Sequence, residues 1–267
     1  MKRQKMIPFT KMAGTGNDFI VFDNRSKIFT GRETVFFSQI CRRRVSVGGD
    51  GILLVEKGKS TPVRMRYFNS DGKETAMCGN GARCAALFAR EKGMVTETRF
   101  TLEAEDGMHG VEVKDREVTL EMVRPTDLQV KLGILREKEF LEGGFINTGV
   151  PHYVLFVQDV HKVDVENLGR LYRNHPVFPQ GANVDFVQIL EDNRIYVRTY
   201  ERGVEGETLS CGTGSVASAL ITAERKEYKS PVTVLTRGGE LTVRFDAGWK
   251  TVTLTGRVEI TFEGVLP

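Results

Sequence analysis

Two stretches decide how this chain folds: Glu74-Thr-Ala-Met-Cys78-Gly-Asn-Gly-Ala82 and Glu207-Thr-Leu-Ser-Cys211-Gly-Thr-Gly-Ser215. In each, a Glu-Thr pair precedes a cysteine at the same spacing, and Cys-Gly-x-Gly opens an apolar run, Gly81 to Lys92 in one case and Gly214 to Glu227 in the other. Upstream, Arg66-Tyr-Phe-Asn69 and Arg198-Thr-Tyr-Glu201 match in character. The two cysteines stand about half of the 267-residue chain apart. This is the pattern of a duplicated unit. Both runs (Ala85-Ala-Leu-Phe-Ala89 and Val216-Ala-Ser-Ala-Leu-Ile221) are apolar on most faces, so each helix belongs inside something.

Working outward, strands dominate. Val111 to Met122 alternates apolar and polar residues across a charged turn and reads as a hairpin. Val184 to Leu190 and Arg194 to Tyr200 form a second pair. Glu240 to Phe245, Lys250 to Thr255 and Arg257 to Phe262 read as a C-terminal meander. Two further helices fit Glu33 to Arg44 and Val165 to Tyr172. No βαβ alternation is evident. The expected fold is α+β: two similar domains facing each other, each a mainly antiparallel sheet or barrel wrapped around a central helix. The expected halves are 1–124, with 257–267 returning to it, and 125–256.

A net charge of +3, from 38 basic and 35 acidic residues, demands neither nucleic acid nor an anionic membrane as partner. No apolar stretch is long enough to span a bilayer. Met1 to Lys5 is basic, but Ile7-Pro8-Phe9-Thr10-Lys11 interrupts any signal-peptide core. A cytoplasmic location is expected, where four cysteines are thiols. Cys41 and Cys84 fall inside helix patterns and read as small buried hydrophobes.

Cys78 and Cys211 read differently, because each stands at the mouth of a helix among glycines. A helix N-terminus presents unsatisfied N–H groups and the positive end of a dipole. A thiol placed there is expected to have a depressed pKa, and the N–H groups form a nest for a carboxylate. One mouth supplies a base and an anion hole together. Two of them acting on one carbon supply what inversion of a stereocentre needs: one group takes the proton and another returns one to the opposite face.

The chain resembles the diaminopimelate epimerases over nearly its whole length. The resemblance rests on Lys11-Met-Ala-Gly-Thr-Gly-Asn17-Asp-Phe, Phe68-Asn69-Ser-Asp-Gly, Met77-Cys78-Gly-Asn-Gly-Ala-Arg83-Cys84, Gly181-Ala-Asn183-Val-Asp-Phe, and Tyr200-Glu201-Arg202-Gly followed by Cys211-Gly-Thr-Gly. It implies an isomerase that uses no pyridoxal phosphate or other cofactor and no metal, in lysine and peptidoglycan precursor synthesis. It implies two pseudo-symmetric halves with the active site in the cleft between them, and Cys78 and Cys211 as the acid–base pair. Gly79, Asn80, Gly212 and Thr213 would hold the reacting carboxylate. Asn17, Asn69, Asn183, Glu201 and Arg202 would bind the other amino and carboxylate groups. His152 matches a family histidine near the thiols and joins the catalytic group with Glu201. Diaminopimelate is the expected partner, and a homodimer the expected assembly. Val150 and Gly51 depart from the asparagine and glutamine found there in some members.

A proline-racemase-like isomerase and a non-catalytic amino-acid binder are the alternatives. Relatives of the former carry His after the first Cys-Gly, where this chain has Asn80. A thiol oxidoreductase lacks its Cys-x-x-Cys, and Val47-Gly-Gly-Asp-Gly51 lacks the ending of a phosphate loop. No paired His or Cys cluster makes a metal site of Cys78 and Cys84. Arg42-Arg-Arg44 suits a helix C-terminus better than a nucleic-acid patch.

Overall fold

The computed structural model describes residues 6–75, 77–136 and 139–267; the basic stretch at residues 1–5 and position 76 of the first cysteine motif lie outside them. The chain divides into two compact units, residues 1–120 with 256–267, and 121–255.

The first unit comprises β1 (Ile7–Gly14), β2 (Asn17–Asp23), α1 (Thr34–Cys41), β3 (Gly51–Glu56), β4 (Val63–Asn69), β5 (Glu74–Thr75), α2 (Gly79–Glu91), β6 (Arg99–Ala104), β7 (Gly107–Lys114) and β8 (Glu117–Glu121). The second comprises β9 (Thr126–Arg136), β10 (Glu139–Asn147), β11 (Pro151–Phe156), α2's counterpart α4 (Gly212–Lys226) and, before it, α3 (Val165–Arg173), β12 (Asn183–Ile189), β13 (Arg194–Glu201) and β14 (Gly206–Thr208). Then follow β15 (Val232–Thr236), β16 (Gly239–Phe245) and the long β17 (Val252–Leu266), whose latter part belongs to the first unit.

In the first unit β1–β2, β3–β4, β6–β7 and β7–β8 pair antiparallel, while β2–β3 and β4–β6 pair parallel. β17 pairs with both β8 and β1, which closes the sheet into a barrel. The second unit repeats the order: β10–β11, β12–β13 and β15–β16 antiparallel, β11–β12 and β13–β15 parallel. The absence of βαβ units expected from sequence is therefore corrected. Each α-helix among the described residues lies on a crossover between parallel strands, within sheets that remain mainly antiparallel.

Each unit buries one helix on each side of its sheet. In the second, Val154, Val187, Ile195 and Val197 pack with Val216, Leu220 and Ile221 of α4. Their strand neighbours Tyr153, Leu155, Val184 and Phe186 face the other way, onto Tyr172 of α3. The period-2 alternation thus sorts each strand between two cores. In the first unit Ile20, Phe22, Ile52, Leu54 and Phe68 meet Phe37 of α1. α2 is buried from Asn80 through Ala89.

Two boundaries differ from the sequence reading. The expected helix over 33–44 ends at Cys41, because Arg42 is extended and Arg43 turns to bond Asp18 and Asp50. The last two strands of the expected meander are one: Val252, Leu254, Gly256 and Val258 are all buried, so the alternation runs unbroken through Gly256. Among the described residues no helix is long and apolar enough to cross a membrane.

Candidate active site

Cys78 and Cys211 occupy the same place in the two units. Each is the N-cap residue of its helix, with near-identical extended backbone (φ −110°, ψ 121° and φ −117°, ψ 117°), and neither helix has a side-chain cap. The first intrahelical bonds begin with Ala82 N–H to Cys78 O and Ser215 N–H to Cys211 O. The N–H groups ahead of them are those a helix offers to an anion. The strand before each cysteine is pinned by the same ion pair. Arg66 bonds Glu74 at 2.6 Å, and Arg198 bonds Glu207 at 2.7 Å. This explains the glutamate shared by both motifs.

The pairing registers show which residues correspond. Glu74 lies opposite Phe68, and Phe68 opposite Ile52; Glu207 lies opposite Tyr200, and Tyr200 opposite Val184. On this frame Phe19 matches His152, Gly51 matches Asn183, Leu53 matches Asp185 and Asn69 matches Glu201. The helices agree. A Cβ on Gly81 would meet Leu53 Cδ2 and Phe19 Cζ, whereas one on Gly214 would meet Asp185 Oδ1 at 2.4 Å. The duplication preserves the helix mouth and changes its chemistry.

In the first unit Cys78 is half-buried. Arg83, fully buried one turn into α2, donates to Asn80 Oδ1 at 2.7 Å and Thr15 Oγ1 at 2.9 Å. Asn80 Nδ2 in turn donates to Asn17 Oδ1 at 2.7 Å, and Asn17 Nδ2 to Asp50 Oδ2 at 2.9 Å. Because arginine can only donate and an ionised carboxylate only accept, the orientation of both amides is fixed. Asn69 is exposed at the end of β4, opposite Gly51. A side chain at Gly51 would displace its neighbours: a Cβ there would lie 2.4 Å from Phe68 O and 2.6 Å from the Tyr67 ring.

In the second unit the strand positions that face α4 carry His152, Asn183, Asp185, Thr199 and Glu201. His152 and Asp185 are wholly buried and bonded through Nδ1 and Oδ2 at 2.7 Å. His152 Nε2 meets Thr213 Oγ1 at 2.9 Å, and Thr213 Oγ1 lies 3.4 Å from Cys211 Sγ. Thr208 Oγ1 donates to Glu201 Oε1 at 2.5 Å. Arg202 donates its backbone N–H to Asn183 Oδ1 and its guanidinium to Gln180 O. Val150 is half-buried in the turn before β11, and its carbonyl accepts from Thr148 N–H.

The depressed pKa expected at a helix mouth does not hold for Cys211. Burial pushes this thiol well above its ordinary value. The charges of Glu201 and Asp185 push it further, and the bond from the Gly214 N–H offsets only part of the rise. Burial likewise raises the Glu201 carboxyl against its bond from Thr208. Helix-end stabilisation is worth about 1–2 kcal/mol at most, less than full desolvation of a charge. Cys41 and Cys84 are buried thiols, pushed by burial up to about 11 and about 12, as their reading as small hydrophobes requires.

The structure thus brings Cys211, His152, Asn183, Glu201 and Thr213 together in one unit, and Asn17 and Asn80 beside the Cys78 helix in the other. Sequence reasoning missed Arg83, Thr199, Thr208 and Asp185. The signal for Asp185 was a carboxylate inside the Val184 to Leu190 strand pattern, between the apolar residues Val184 and Phe186.

A family model described as diaminopimelate epimerase matches residues 9–127 and 144–261. The diaminopimelate epimerase of Aquifex aeolicus (strain VF5) is 43% identical, covering 97% of each chain. That of Flavobacterium psychrophilum is 37% identical, covering 95% of this chain and 97% of the relative. Among solved structures, a Bacillus anthracis phenazine biosynthesis protein of the PhzF family shares the fold at TM-score 0.76 and 16% identity, covering 99% of this chain and 100% of that one. A hydroxyproline epimerase from Agrobacterium vitis shares it at TM-score 0.71 and 17% identity, covering 100% and 92%. With matching cysteine mouths in both repeats and relatives alike along almost their full length, the chain belongs to the diaminopimelate epimerase family.

Proposed function

We propose that this protein interconverts L,L- and meso-diaminopimelate, with Cys78 and Cys211 as the two bases and no cofactor. The observation that carries the reading is the repeated helix mouth, a thiol at the N-cap of an uncapped helix in each unit. The α-hydrogen of an amino acid is a very weak acid. Its removal needs negative charge to be stabilised as it spreads onto the adjoining carboxylate. Backbone N–H groups at Gly79–Asn80 and Gly212–Thr213 serve there, acting in a water-poor site.

One thiolate takes the proton, and the other cysteine, as a thiol, delivers one to the opposite face. Burial beside Glu201 and Asp185 favours the S–H form of Cys211, which suits it as the donor at rest. The reverse reaction exchanges the roles. Arg202, Asn69 and Asn183 bind the distal amino-acid end, while Glu201 and Asn17 supply acceptors for an ammonium.

The test is a stereochemical assay on L,L-diaminopimelate with purified protein, no added pyridoxal phosphate and a metal chelator present. Proline and hydroxyproline run in parallel. Conversion to the meso isomer alone is the expected outcome. Turnover of proline without turnover of diaminopimelate would reassign the substrate. No inversion of any of them, with bound amino acid, would leave a binding protein.

A further inference from the structure

Asp185 touches neither thiol nor substrate in the scheme above, yet it is wholly buried and both of its oxygens are engaged. Oδ2 meets His152 Nδ1 at 2.7 Å, and Oδ1 accepts from Thr199 Oγ1 at 2.7 Å. Gly214 leaves room for it, since a Cβ there would come within 2.4 Å of Oδ1. In the first unit the matching positions hold Leu53 and Phe19. A fold of this kind therefore does not require a carboxylate and an imidazole there, and burying them carries a desolvation cost that apolar packing avoids.

The tautomer of His152 follows from its neighbours. The backbone N–H of Arg202 can only donate, so the Asn183 atom it meets at 2.7 Å is the carbonyl oxygen. Asn183 Nδ2 consequently faces His152 Nε2 at 3.3 Å. An NH₂ group facing a ring nitrogen calls for a lone pair there, which leaves the ring proton on Nδ1, directed at Asp185. Thr213, 2.9 Å from Nε2, then gives its hydroxyl proton to the ring and turns its lone pairs toward Cys211 Sγ.

We propose that Asp185 is a positioning residue for the second thiol: it locks His152 as the Nδ1–H tautomer, and through Thr213 this sets the hydrogen-bond polarity that the Cys211 thiol meets. The inference rests on the epimerase reading above. Its role is particular to Cys211, because the first unit has no counterpart of the histidine, the aspartate or Asn183.

Nitrogen-15 shifts of the histidine rings in the full-length enzyme test it. The chain has four histidines, and His152 is assigned by the signal lost in His152→Gln. His152 should carry its proton on Nδ1 in the native protein and shift toward Nε2 in Asp185→Asn. In that variant kcat for diaminopimelate should fall by about 10²-fold, with KM held within about twofold. Asn183→Asp, which places an acceptor against Nε2, should draw a proton onto that nitrogen and gives an independent reading if Asp185→Asn does not fold. A native ring protonated on Nε2, an unchanged tautomer in either variant, or an unchanged kcat in a tautomer-shifted Asp185→Asn overturns the proposal. Native protein that leaves diaminopimelate uninverted would overturn the functional reading instead, and would leave the tautomer measurement standing.

Discussion

Cys211→Ala should lower the rate of diaminopimelate inversion by at least about 10³-fold, and Cys78→Ala should do the same. In the proposed mechanism each substitution removes one of two groups that act in the same catalytic cycle. Because they act as a unit, the double variant should be little worse than either single one. The fold should survive, since neither cysteine makes a full side-chain cap and loss of the Gly214 N–H contact to the Cys211 thiol costs no more than an ordinary N-cap substitution, about 0.5–2 kcal/mol. Thermal unfolding measured beside the rates separates the two effects. Cys41→Ala provides the contrast. This buried thiol packs in the aromatic cluster around Phe37, so its loss should show in stability and leave turnover per folded molecule close to normal. Either active-site variant retaining turnover within about tenfold of the parent would remove that cysteine from the mechanism.

Arg202→Ala should raise KM for diaminopimelate by about thirtyfold or more. Loss of one partner from a charge-assisted pair costs about 2–5 kcal/mol, and each 1.4 kcal/mol is about a factor of ten. The guanidinium donates to Gln180 O, and further N–H donors remain for a substrate carboxylate. The bond from Arg202 to Asn183 uses the backbone N–H, so alanine keeps it, and with it the orientation of the Asn183 amide. The effect should therefore fall on binding and leave the alkylation rate of the cysteines unchanged. Unaltered KM and kcat would take Arg202 out of the substrate contacts.

The repeated Glu-Thr-x-x-Cys-Gly-x-Gly was enough to locate both helix mouths, because glycine and N-cap placement are local properties of the chain. The glutamate's role was not legible, since its arginine partner lies on the preceding strand. Parallel crossovers escaped notice because both kinds of pairing use the same period-2 alternation. The clue was Gly51 to Glu56, buried at every position, as a strand covered on both faces must be. Gly256 looked like a turn, and only the burial of Leu254 and Val258 on either side shows the strand continuing. The dipole argument for Cys211 failed for a related reason. The helix mouth is local to the motif, whereas the burial and the placing of Glu201 and Asp185 beside the thiol come from the pairing of β12 with β13.

In the proposed mechanism two different groups handle the proton. Start from pure L,L-diaminopimelate in D₂O, stop early, and read deuterium at the α-carbon of product and residual substrate by mass spectrometry. A donor thiol that has exchanged with solvent delivers deuterium, so nearly every product molecule should be labelled at the inverted carbon while unreacted substrate carries little. Starting from the meso isomer should give the same pattern with the cysteines exchanged in role. Early product that keeps most of its original α-hydrogen would contradict the two-thiol mechanism, because a single base would then be returning the proton it took.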